Sequence, residues 1–299
     1  MVVAVSGLRK TNMIITHLEG GLGNQFFQYA IGRKLSLKNK ELFKLDLSSY
    51  TSKNPRTYGL KRFNIIENIA TAKDLRNIFP IGSVSNFWWK FKKLVLRTIN
   101  THLEPHILNK KNNIYLDGFW QSEKYFSDIS DTIRQDFKLR KAMSHASEIA
   151  YNRIKTTDIS VSMHIRRGDY VQDKKTSTYH GICGAEYYEK AIAVLIAKLP
   201  HDSQKKVNLF VFSDDIDWVK RHSSFAYPVN FVSNPAIPDY EELILMSKCT
   251  HHIIANSSFS WWGAWLNPNP QKIVVAPAKW FNAKPSTYKD IVPNSWIKI

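Results

Sequence analysis

Between residues 159 and 276, short apolar runs rich in β-branched side chains alternate with stretches of helical period. This alternation constrains the fold most, because strand, helix and strand in succession close a parallel sheet covered on both faces. The strands fall at 159–165, 207–212, 229–232, 252–255 and 272–276, the last being the final strand. The helices fall at 185–199, 215–222, 240–248 and 258–266, and Tyr188, Ile192 and Leu195 share one face of the first. The chain's beginning follows the same grammar. An apolar strand at 13–18 runs through a glycine turn at 20–25 into a helix over 26–40. Phe27, Ala30, Ile31 and Leu35 mark its buried face, and Arg33, Lys34 and Lys38 its wet one. Within 41–150 only a strand near 114–119 and a helix near 128–137 are readable. The polar segment 141–158 predicts the boundary, so we expect an α/β protein with domains at 1–150 and 151–299.

The charge narrows the partners. A surplus of 42 basic over 25 acidic side chains, a net +17, implies an anionic partner or surface. Nucleic acid, an acidic membrane leaflet and a phosphorylated small molecule all qualify. Lysine and arginine are dispersed, however, with no zinc-finger, helix-turn-helix or RNP-type pattern, so nucleic acid is not expected. No run of 18 apolar residues suggests a spanning helix, and the patch at 2–5 is too short for a signal peptide. We therefore expect a cytoplasmic protein in which Cys183 and Cys249 are free thiols. The segment 86–100 interleaves Phe87, Trp88, Trp89, Phe91, Leu94 and Val95 with Lys90, Lys92, Lys93 and Arg97. It reads either as a core-packing helix with a wet basic face or as a helix lying on the cytoplasmic face of an anionic inner membrane.

Three turns carry chemistry. In His164-Ile165-Arg166-Arg167-Gly168-Asp169-Tyr170 two arginines follow a buried strand, where open α/β sheets bind ligands. Guanidinium forks match phosphate oxygens, so a diphosphate is the natural guest; a surface ion-pair loop is the competing reading. Asp169 would fix an arginine or take a proton. The turn Gly20-Gly21-Leu22-Gly23-Asn24-Gln25 exposes backbone N–H groups at a helix start, which suits an anion. It lacks the third glycine of a dinucleotide fingerprint and the lysine of a P-loop, and tight packing explains it equally. The third is Asn256-Ser257-Ser258-Phe259-Ser260-Trp261-Trp262-Gly263-Ala264-Trp265, whose hydroxyls either cap a helix or complete a phosphate shell. Its tryptophans at helical spacing suit a core. The carboxylates of Ser213-Asp214-Asp215 could bind a metal, act as a base or, most simply, cap a helix, and neither His251-His252 nor the cysteines are spaced as metal ligands.

Together these segments, with Phe26-Phe27-Gln28-Tyr29-Ala30 and Phe212, resemble the bacterial-type inverting α-1,2-fucosyltransferases, glycosyltransferase family 11. They appear in family order along almost the whole chain. Members commonly start just before the glycine turn, as Met13-Ile14-Ile15 does here, which makes 1–12 an extension. The resemblance implies two Rossmann-like domains facing a cleft, the GT-B arrangement, with the acceptor on 1–150 and GDP-fucose on 151–299. It implies a metal-independent hexosyltransferase of O-antigen, polysaccharide or protein glycosylation, moving L-fucose with inversion onto a galactose-type hydroxyl of an oligosaccharide or glycolipid. On the donor it places His164, Arg166, Arg167, Asn256, Ser257, Ser258 and Ser260, with Gly23, Asn24 and Gln25 from the first turn. Arg166 and Arg167 would stabilise departing GDP, and Asp169, with Asp173 behind it, is the candidate base. A route in which the leaving phosphate takes the proton is equally open. A binding protein for nucleotide sugars or anionic glycans, or a transferase with another nucleotide sugar, are the alternatives.

Overall fold

The computed structural model describes residues 12–52, 56–78, 103–167, 181, 183–282 and 288–299. The readings placed on Gly168, Asp169, Tyr170 and Asp173, on 86–100 and on the first eleven residues lie outside them.

The first half forms a three-stranded parallel sheet in the order β2-β1-β3. Its strands are β1 (Met13–His17), β2 (Leu42–Asp46) and β3 (Ile114–Leu116). Helix α1 (Leu22–Asn39) crosses over from β1 to β2. It starts four residues before the predicted helix, because Gly20 at φ +79° makes the turn alone and Gly21 already caps the helix. Its first turns are buried almost all round, since the sheet holds one side and a helix of the other half holds the opposite one. Arg33 and Lys34, expected in water, pair with Asp136 and Asp128. Short helices α2 (Ala72–Ile78) and α3 (Ser130–Asp136) complete this half.

The second half is a six-stranded parallel sheet. Its strands are β4 (Ile159–Ile165), β5 (Val207–Ser213), β6 (Val229–Phe231), β7 (His251–Ile253), β8 (Val274–Ala276) and β9 (Ile297–Lys298). The spatial order is β6-β5-β4-β7-β8-β9. The chain thus winds outward from β4 through β6, then returns to β7 and winds the other way, which is the doubly wound order with a switch point between β4 and β7. Strand β9 corrects the expectation that 272–276 ends the sheet; two residues at the chain's end are too few to show a period. The crossovers are α5 (Ala185–Ala197), α6 (His201–Gln204), α7 (Ile216–His222), α8 (Asp239–Lys248) and α9 (Ser258–Leu266).

The polar stretch read as a boundary is not a bare linker. It contains α4 (His145–Thr156), which buries only Ser147 and Ile154 and so shows little apolar pattern. Ser144 caps it and ties it to the second half, its N–H and hydroxyl donating to Glu241 Oε2 at 2.9 and 2.7 Å.

One aromatic core joins the halves. Phe27 of α1 packs on Trp261 at 4.5 Å and on Trp262 at 4.9 Å, and Phe26 stacks on Phe137 at 3.9 Å. Trp261 and Trp262 are fully buried, so the tryptophan run is core, as its helical spacing suggests. Buried polar groups across β4 and β7 are matched in pairs. Ser162 Oγ lies 2.7 Å from His252 Nδ1, and Asn267 Nδ2 lies 2.9 Å from His252 Nε2. That network explains His252 without a metal, and among the described residues no group of three metal-ligating side chains converges.

Candidate active site

A cleft of about 850 Å³ opens where the carboxyl ends of both sheets face each other. Strand β4 delivers His164 and Arg166 to it, and the turn after β7 delivers Asn256, Ser257 and Ser258. These flank the point where the strand order reverses, so two motifs about ninety residues apart become neighbours through topology.

The two adjacent arginines part company. Arg166 enters the cleft, where Nη1 meets Asp214 Oδ2 at 3.0 Å. Arg167 turns away: its guanidinium carbon lies 3.2 Å from the centre of the Trp218 ring, with Nε 3.7 Å from Asp215. A strand-like backbone sends successive side chains to opposite sides, which sequence adjacency hides. Asp214 also accepts the Arg167 backbone N–H at 2.8 Å, and Asp215 alone caps α7 through the Trp218 N–H. The expected capping pair is therefore divided, with one carboxylate orienting Arg166.

His164 is 3% exposed, packs against Phe259 and leaves Nδ1 without a hydrogen-bond partner. Burial, with Arg166 beside it, brings its pKa down to about 4, so the ring is neutral near pH 7. A neutral imidazole on the cleft wall can donate to or accept from a ligand hydroxyl without adding charge.

The helix start at 257–260 is split in the same way. Ser257 accepts the Phe259 N–H and caps α9. Ser258 lines the cleft and donates to Asn24 Oδ1 at 2.9 Å. Ser260 is fully buried and bonds the carbonyls of Ala255 and Ser257, so its hydroxyl faces its own backbone. Asn256 Nδ2 donates to Trp280 O at 3.2 Å, which holds the segment 280–281 against the cleft.

The glycine turn forms the opposite wall. Gly23 lines the cleft and brings α1 tight against the start of α9: a Cβ there would lie 2.5 Å from the carbonyl carbon of Ser258 and 2.6 Å from the Phe259 nitrogen. Gln25 is buried, donates to Gly20 O and Thr57 O, and accepts the Gly59 N–H at 2.9 Å. Gly23 and Gln25 therefore hold the chain, while Asn24 reaches across to Ser258 and Gln121.

Several residues of the cleft carried no readable signal. Arg56, Lys61 and Arg62 line the first-half wall, and Arg62 lies over the Tyr240 ring at 5.2 Å. Glu242, in the first turn of α8, faces the cleft beside Ser233; burial, with Asp239 and Asp214 nearby, raises its pKa to about 8. Its position just after a strand-to-helix turn was the one available clue. Gln121 belongs to the stretch between 41 and 150 that pattern alone did not resolve.

With this geometry in place, the chain's family is plain: it belongs to glycosyl transferase family 11, whose model matches residues 6–299. It is 35% identical to an α-1,2-colitosyltransferase of Escherichia coli, over 96% of this chain and 99% of that protein. It is 33% identical to the O-antigen biosynthesis glycosyltransferase WbnK of the same species, over 94% and 99%. Human galactoside α-(1,2)-fucosyltransferase 1 matches at 26% identity over 50% of this chain and 42% of its own length. Among solved structures, the α-1,6-fucosyltransferase NodZ co-crystallized with GDP superposes with a TM-score of 0.54 at 15% identity, over 87% of this chain and 94% of that one. Arabidopsis thaliana FUT1 in complex with GDP gives 0.52 at 11%, over 94% and 74%. At such identities the likeness is one of fold, and that fold is the GT-B type.

Proposed function

We propose that this chain transfers L-fucose from GDP-fucose, with inversion, to the 2-hydroxyl of a galactose-type sugar in an oligosaccharide acceptor. The observation that carries the donor assignment is that Arg166 and the amino end of α9 line one cleft at the strand-order switch of the second sheet. A guanidinium and a helix N-terminus together fit a diphosphate and stabilise the negative charge that grows on it as the C1–O bond breaks. The carboxylate of Glu242 is an acceptor matched to the N1–H and N2–H donors of guanine, which neither uracil nor adenine presents together. Arg166 supplies the positive charge in this reading and Arg167 supports the segment around it. Deprotonation of the acceptor hydroxyl falls to Asp169, three residues beyond Arg166, or to the leaving phosphate. Transfer surviving in Asp169→Asn would leave the phosphate route.

Titration with GDP, UDP and ADP, followed by GDP-fucose turnover on a panel of galactose-ended oligosaccharides with NMR of the linkage, tests the reading. GDP preference without turnover would mean a binding protein, and equal affinity for the three nucleotides would remove the donor assignment. The 35% identity with a colitosyltransferase favours one second reading, a nucleotide-activated colitose as donor, and that sugar belongs in the same assay. The proposal includes peripheral contact of 86–100 with an anionic membrane, which rests on the sequence pattern alone. Absence of co-sedimentation with phosphatidylglycerol vesicles at low salt would discard it.

A further inference from the structure

The end of the second sheet that faces away from the cleft has a hollow of its own. It measures about 290 Å³ and lies where three strands begin: Ile159 opens β4, His251 opens β7 and Ile273 precedes β8. Strand β4 is seven residues long, so roughly 20 Å of strand separates Ile159 from the cleft end. Apolar side chains line part of the hollow, from Ile159, Leu199, Pro200 and Ile273. Two further lining groups are donors without partners. His251 is 6% exposed, and its Nδ1 accepts the Ile273 N–H at 3.0 Å. Burial holds its pKa below the ordinary histidine value, so the ring is neutral near pH 7 and its one proton sits on Nε2. Among the described residues nothing accepts that proton, and Nε2 is not one of the sealed polar atoms of the core, so its N–H remains open to a ligand. Lys198, just past α5, is exposed and pairs with no carboxylate among the described residues. Other polar groups here are spent. Thr250 Oγ1 lies 3.2 Å from Ser160 Oγ, and Asn269 Oδ1 accepts the Gln271 N–H at 2.9 Å. No carboxylate lines the hollow, and Asp158, next to Ile159, pairs with Lys206 at 3.4 Å.

We propose that this hollow binds a small organic anion, whose carboxylate or phosphate head takes the His251 Nε2–H and pairs with Lys198 while its apolar body lies on Ile159, Leu199 and Ile273. A largely buried N–H with no acceptor gains from any ligand that supplies one, and a charged oxygen is the strongest acceptor available. The uncompensated ammonium, with no carboxylate among the lining residues, selects an anion over a neutral carbonyl. The site lies at the opposite end of the sheet from the donor cleft and owes nothing to the assignment of GDP-fucose there.

The test titrates benzoate, phenyl phosphate and neutral benzamide into the full chain and follows backbone amide shifts by NMR. We expect saturable shifts at Thr250, His251 and Ile273 with both anions, at millimolar Kd, and none there with benzamide. Amides of Gly23 and Ser258 report separately on entry of phenyl phosphate into the cleft. His251→Asn places an amide oxygen where Nδ1 accepts the Ile273 N–H and removes the Nε2–H; it should weaken both anions about tenfold. Lys198→Ala, a change at an exposed side chain that leaves the fold alone, should weaken them about three- to fivefold. Benzamide binding as tightly as benzoate overturns the proposal, and so does wild-type affinity in either variant. Shifts confined to Gly23 and Ser258, or no saturable shift at all, would likewise mean that the hollow holds no such anion.

Discussion

The two walls of the cleft are written in the same local language and use it for opposite ends. Each has a strand that stops at a turn of small and amide residues, then a helix: 20–25 before α1 on one side, 256–260 before α9 on the other. In the first, Gly23 and Gln25 are consumed by packing and by fixing the loop at 57–59. In the second, together with the neighbouring end of β4, Arg166, His164 and Ser258 reach the cleft. A glycine turn before a helix is thus no evidence of phosphate binding until the tertiary neighbours of its backbone are known. At Gly23 those neighbours are the backbone of the other wall, whereas Gly20 and Gly21 line the cleft without such a contact.

Gly23→Ala should break the first wall most severely. The added methyl meets backbone atoms at 2.5–2.6 Å, which cannot step aside as a side-chain tip would. We expect a stability loss of about 3 kcal/mol or more, seen as a large fall in Tm or as insoluble protein. A stable Gly23→Ala protein that had merely lost GDP affinity would reverse the assignment of that wall.

The arginines give the next largest contrast. Arg166→Ala removes the cation proposed to face the diphosphate and deprives Asp214 of its ion-pair partner, so kcat/KM should fall roughly 100- to 1000-fold. Arg167→Ala should stay within about threefold in kcat/KM and instead lower Tm slightly, as the Trp218 face loses a cation–π partner worth about 1 kcal/mol. Equal kinetic losses in both would restore the paired-arginine reading.

Glu242 sharpens the second wall through pH. Its raised pKa, about 8, leaves it neutral near pH 7, whereas accepting two guanine donors needs the ionised form. GDP affinity should therefore rise as pH is taken from 6.5 to 8.5, by at most about tenfold per unit below the pKa. Glu242→Gln should flatten that profile; an unchanged slope in the variant would place guanine elsewhere.

Ser260→Ala should do least. Its hydroxyl serves two carbonyls of its own turn, so about 1 kcal/mol of stability is at stake and GDP affinity should not move.

The sequence pattern placed β4, α5, β5 and α9 almost to the residue, because each carries an uninterrupted period and a clear cap or turn at its ends. It also placed His164, Arg166, Ser258 and Asn24 at the cleft, since arginine, hydroxyl and amide side chains just past buried strands stand out in a sequence. Glu242 and Gln121 were not legible. A carboxylate in a helix's first turn reads as an ordinary dipole partner, and an amide in an irregular corner has no period to stand out from.

By itself, then, the chain's order of apolar runs and turns determined the parallel α/β sheet of the second half and the strand, turn and helix that open the first, while the second Rossmann-like domain and the family of chemistry came from the resemblance of the motifs. The tertiary structure alone decided which groups of each turn are spent on holding the walls together and which remain for a ligand. The reason is geometric. Periodicity records which side of an element is buried, but it does not record what lies against that side, and Gly23, Arg167 and Ser260 differ from Asn24, Arg166 and Ser258 only in what they meet.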